Sequence, residues 1–185
     1  MPPIKKRIRV SVFLVSAVLL FNIYGYYYVN QKSSLKDQIG YHFSGLINLD
    51  GISEQVSQTA LVLTIHASFT EEKYIQQKNE LVQLLKKYHS QYLELSNFAG
   101  NKNTKSLDSV RSAFLQTNIF SERLKGQAEA ILNDTTKKYL NNYAFAKEVK
   151  ANIAELKQSI YRTLAVLRLA EKKIETSIKN FNYSK

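Results

Sequence analysis

The chain has 185 residues, 44% of them hydrophobic, with 26 Lys and Arg against 15 Asp and Glu and a net charge of +11. It contains no cysteine, which excludes a disulfide framework and a thiolate metal site. Six glycines and two prolines are few, and both prolines fall within the first three residues, so long helices are favoured over a strand-and-turn fold.

Lys5, Lys6, Arg7 and Arg9 precede an uncharged run, Val10–Val29, whose 20 residues match the hydrocarbon core of a bilayer at helical rise. Tyr24, Tyr26, Tyr27 and Tyr28 close the run. Basic residues stay on the cytoplasmic side and aromatic rings favour the interface. The expected layout is a cytoplasmic N-terminus over 1–9, a transmembrane helix over 10–29 and an extracytoplasmic domain over 30–185, in a bacterial inner membrane. A cleaved signal peptide is the competing reading, but it needs small residues where Ile23 and Tyr24 stand. "IYRTLAVLRLA" from Ile160 is too short for a second span and carries Arg162 and Arg168. Beyond the N-terminal cluster, basic residues alternate with acidic ones on helical faces, so nucleic acid is not an expected partner.

The first extramembrane helix carries Leu49, Ser53, Val56, Ala60 and Leu63, spaced 4, 3, 4, 3. The period passes unbroken through Gly51, and a packed helix tolerates the glycine's cost of about 1 kcal/mol. "INLDGISEQVSQ", residues 47–58, is therefore predicted as helix rather than loop, joined to the membrane helix through Leu35, Ile39 and Leu46. About 100° around lies a second stripe, Asn48, Gly51, Gln55 and Gln58. Polar seam residues set register and oligomer state, and glycine admits a second backbone. The stripe is a candidate contact for a second subunit or a small polar ligand, with a solvated face as the alternative.

A second helix is predicted from the capping pattern Ser68–Glu71, with a seam of Tyr74, Lys78, Leu81, Leu85, Tyr88, Tyr92 and Leu95. Lys78 is the exception in that seam. The polar cluster 99–106 should end it. A short piece with Leu107, Val110 and Phe114 follows, then a helix near 118–140 with Phe120, Leu124, Ala128 and Ile131. A bend is expected at Gln116–Asn118. The last helix runs through Ala146, Val149, Ile153, Leu156, Ile160, Leu164, Leu167, Ala170, Ile174, Ile178 and Phe181, a length of roughly 50 Å. The predicted fold is all-α, an N-terminal transmembrane helix running into an antiparallel four-helix bundle.

Ile47-Asn48-Leu49-x-Gly51 followed by Ser57-Gln58 resembles the I-N-x-x-G-R-Q-R-M-x-S-Q signature. That signature belongs to the extracytoplasmic sensor bundle of nitrate/nitrite sensor kinases and of type IV pilus chemotaxis-like transducers. "KKYHSQYLEL" at 86–95 and "SLDSVRSAFLQ" at 106–116 follow in that family's order. The resemblance implies a span leading into the first of four antiparallel helices, with the signature near a dimer interface. It carries over to Asn48, Gly51, Ser57 and Gln58. Where the family has Arg-Gln-Arg-Met, this chain has Ile52-Ser53-Glu54-Gln55, so the anion-binding arginine is missing. Nitrate binding is not implied, because Glu54 would repel it. The resemblance also implies a second span and a cytoplasmic output module beyond Lys185. The chain is then either a piece of such a receptor or a stand-alone relative.

His42, His66 and His89 share no metal-ligand spacing, and no P-loop, G-x-S-x-G or paired-carboxylate motif occurs. No catalytic residue, cofactor or metal is predicted. The expected function is a membrane-anchored sensory bundle, dimeric, with Asn48, Gly51, Gln55, Ser57 and Gln58 as ligand or dimer contacts. The alternative is a single-pass scaffold whose helical domain docks a protein partner outside the membrane.

Overall fold

A computed structural model describes the backbone of residues 3–65, 69–100 and 108–183, and the side chains of 14–65, 69–94 and 108–181. The described residues form four helices and no strand: α1 (Pro3–Ile65), α2 (Glu71–Gly100), α3 (Asp108–Leu132) and α4 (Tyr143–Tyr183). The 47–58 stretch is helical, inside α1. The chain divides into two compact units, Tyr41–Ala170 and Met1–Gly40 with Glu171–Lys185.

Tyr41–Ala170 is a four-helix unit around one core. Every neighbouring pair of helices runs antiparallel, as the cross-helix contacts record. The Tyr41 hydroxyl of α1 meets Glu94 of α2 at 3.1 Å, and Tyr88 of α2 donates to the Ser121 carbonyl of α3 at 3.1 Å. Arg123 of α3 reaches Glu155 of α4 at 3.2 Å, and Lys157 of α4 pairs with Glu54 of α1. The predicted α1 stripe is the core stripe: Leu49, Ser53, Val56, Ala60 and Leu63 are all buried. Tyr74, Leu81, Leu85, Tyr88 and Tyr92 are buried on α2 as expected, while the side chain of Leu95 lies outside the described residues.

Helix ends differ from expectation, each for a local reason. Ser68 lies outside the described residues, as does His66; the Thr70 hydroxyl accepts from the Lys73 N–H at 3.4 Å and caps α2. Leu107 and 101–107 as a whole are likewise outside them. α3 is a single helix from Asp108, with no break at Gln116–Asn118. It stops at Leu132, short of the expected 140, because Asp134 gathers the following turn. Its carboxylate accepts from the Thr136 N–H at 3.0 Å, the Thr136 hydroxyl at 2.9 Å and the Tyr139 N–H at 3.0 Å. Lys137 and Asn141 in that turn take positive φ, 56° and 61°, which no helix can continue through. Asn142 then caps α4 by accepting from the Phe145 N–H at 3.0 Å.

The second unit pairs the N-terminal part of α1 with the end of α4. Phe181 stacks on Phe21, with ring centroids 6.1 Å apart, and meets Tyr28 at 5.2 Å. Lys36 pairs with Glu175 at 2.6 Å. Leu14, Val15, Val18, Leu19, Leu20 and Ile23 remain more than half exposed. Among the described residues no helix is long and apolar enough to cross a membrane. The expected span, Val10–Val29, opens with Val10–Phe13, whose side chains lie outside the described ones, and its second half is diluted by Asn22, Gly25 and four tyrosines. Asn22 donates its amide to the Val18 carbonyl of its own helix at 3.0 Å, which reduces the cost of an amide in an apolar medium.

Candidate functional site

The polar stripe of α1 lies on one exposed face of Tyr41–Ala170. Asn48, Gly51, Gln55 and Gln58 are all exposed. The helical period that buries Leu49, Val56 and Leu63 puts the stripe about a quarter-turn away. Gly51 has helical geometry and nothing within 4 Å of where a Cβ would stand, so its notch is open. Gln58 donates to the Glu54 carboxylate at 3.0 Å, and Glu54 is also bound by Lys157. The Lys157 ammonium holds the Glu54 carboxyl below the usual carboxylate range. This Lys157–Glu54–Gln58 chain ties one end of the stripe to α4.

Ser57 is placed apart from the other four. It is 2% exposed and belongs to the interior. Besides Ser53 of the predicted stripe, the interior holds polar side chains that periodicity did not reveal: Thr117, Ser121, Asn152, Ser159 and Thr163. The Thr117 hydroxyl lies 2.9 Å from that of Ser159 and 3.0 Å from that of Thr163. Asn152 donates to Gln127 at 3.2 Å. The three on α4 each sit one residue from a predicted apolar seam position: Asn152 beside Ile153, Ser159 beside Ile160, Thr163 beside Leu164. Ile153 and Leu164 are only half-buried, so α4 is rotated toward its polar edge. The available signal was Asn152, Ser159 and Thr163 recurring at spacings of seven and four along that edge.

Beside the stripe, α1 and α4 enclose a groove of about 750 Å³ lined by Phe43, Ile47, Asp50, Tyr161, Arg168 and Leu169, among others. Ile47 is one helical turn from Gly51, so the groove and the stripe share an edge. Nothing in the spacing along the chain marks Asp50 and Arg168 as neighbours. Among the described residues no group of three or more His, Asp or Glu side chains is placed to hold a metal ion. His42 is buried against the edge of Phe114, with ring centroids 5.9 Å apart, and burial holds its pKa below the usual histidine range although Glu94 works in the opposite direction. This face can present amides, a backbone notch and an amphipathic groove, which suits binding. No family model matches this chain, nor does any curated protein or solved structure.

Proposed function

We propose that this chain is a membrane-anchored, extracytoplasmic sensory bundle of a bacterial receptor that works as a dimer. A small polar ligand or a subunit shift would move α1 against its neighbours, and a packed interface with two arrangements would pass that movement on. The observation that carries the reading is the α1 stripe: Asn48, Gly51, Gln55 and Gln58 are all exposed along one face, with the glycine notch open. An anchor is supported by the row of exposed leucines and valines between Leu14 and Ile23, a surface that water disfavours and lipid accepts. The partial likeness of residues 47–58 to the sensor signature points the same way.

The test uses the full chain extracted in non-ionic detergent. Asn48→Leu and Gln58→Leu are expected to shift the monomer–dimer balance in sedimentation while helicity and melting stay as in the parent chain. Unchanged dimerisation in both variants would remove the stripe from any interface. Capture of one stoichiometric protein partner from the same membranes would then make the scaffold the better description.

A further inference from the structure

Two opposite charges line the α1–α4 groove without meeting. Asp50 stands on the α1 wall, and its Oδ1 is buried with no hydrogen-bond partner. Arg168 stands on the α4 wall, exposed, with its guanidinium 5.2 Å from the Phe43 ring centroid. Neither residue takes part in any ion pair among the described residues. Lys157 lends Asp50 a favourable field, but its ammonium is bound to Glu54. The groove is otherwise apolar and open: Ile47 is 52% exposed, Tyr161 60% and Leu169 61%. Large apolar side chains clustered at one exposed site mark a contact surface.

We infer that this groove is the interface with a second copy of the same chain, and that Asp50 of each copy pairs with Arg168 of the other. An occupant must bring a cation to Asp50, an anion to Arg168 and apolar surface between them. This chain carries that set in one place. A two-fold axis across the groove satisfies both charges at once, because in an isologous contact residue i meets j and j meets i. Charge complementarity of this kind fixes the register of the contact. Ile47 and Leu169 then leave water, and Gly51, one turn from Ile47, lets the second α1 approach. The inference rests on the dimeric reading above and supplies its geometry.

Charge reversal followed by mixing tests it on the full chain in detergent. Asp50→Arg alone and Arg168→Asp alone are each expected to shift the chain toward monomer, since every pair becomes like-charged. Mixing the two variants is expected to restore dimers that contain one of each, because both cross-pairs are again opposite. A pair formed within one chain would gain nothing from mixing. Asp50→Asn, which keeps side-chain size, and Arg168→Gln, which removes the charge and keeps a polar end, are expected to weaken dimers without reversal and serve if a reversed variant does not fold. Variants that dimerise like the parent, or a mixture that stays monomeric, overturn the inference while leaving a dimeric sensor in place. A parent chain that is monomeric throughout removes both.

Discussion

In Tyr41–Ala170, α1 buries Leu46, Leu49, Val56 and Leu63 to 1% exposure or less; in the N-terminal unit the same helix leaves Leu14, Leu20 and Ile23 more than half exposed. The side chains are alike, and the difference lies in arrangement. From Leu46 onward the apolar residues recur every three or four positions, so three other helices can cover them. From Leu14 to Ile23 they occupy all sides, so the few partners in that unit, Phe181 among them, cover only a strip. A helix apolar all round needs an apolar medium, whereas a helix apolar on one stripe needs only neighbours.

The largest effect that would sharpen this contrast is Phe114→Ala. Phe114 is fully buried, and its loss should cost about 3–5 kcal/mol. Leu20→Ala, at a side chain 67% exposed, should leave urea unfolding unchanged. Equal costs at the two sites would break the comparison. Next comes Leu20→Arg. A charge at the centre of a membrane helix disfavours insertion by about 2.5–3.5 kcal/mol. On the proposed membrane anchor, the variant should lose carbonate-resistant membrane association while keeping the parent's helical signal. Retained association would mean that lipid is not what covers Leu14–Ile23.

Lys78→Met tests the one polar break in the α2 seam. An apolar side chain would complete the heptad, yet the Lys78 ammonium donates to the Leu132 carbonyl at 3.2 Å and the Asp134 carbonyl at 2.9 Å, at the end of α3. Cations favour helix C-termini, and charged hydrogen bonds outweigh the exposed half of a methionine. The variant should therefore be less stable by about 1–2 kcal/mol; a gain in melting temperature would show that the seam outweighs the cap.

The smallest expected effect is pH-dependent. Unfolded histidine takes up a proton near pH 6.5, but buried His42 does so only at lower pH, because its folded value is depressed by burial. Stability should fall as pH drops below about 6.5, through the window down to the folded value. That dependence belongs to Tyr41–Ala170: the Lys36–Glu175 pair of the other unit has its carboxyl lowered and its amine raised, away from that window. Thermal unfolding between pH 7.5 and 5.5 checks it, and His42→Leu should flatten the profile. An unchanged slope in that variant would assign the dependence to another group.

Periodicity along the chain determined the buried seams of α1 and α2, though not the burial of Ser57, and it determined that Gly51 lies within a helix and that Asn48, Gly51, Gln55 and Gln58 share an outer face. All of these are properties of one helix, set by 3.6 residues per turn. What only the tertiary structure decided involves a neighbour. α4 turns Asn152, Ser159 and Thr163 inward because Thr117 and Gln127 on α3 offer them hydrogen bonds. Lys78 sits in an apolar seam because the end of α3 lies above it. Asp50 and Arg168, 118 positions apart in the chain, line one groove because α1 and α4 pack antiparallel. A one-residue change in the rotation of a helix costs little along its own sequence, but it swings every side chain by about 100°, and only the partners across the core select among those rotations.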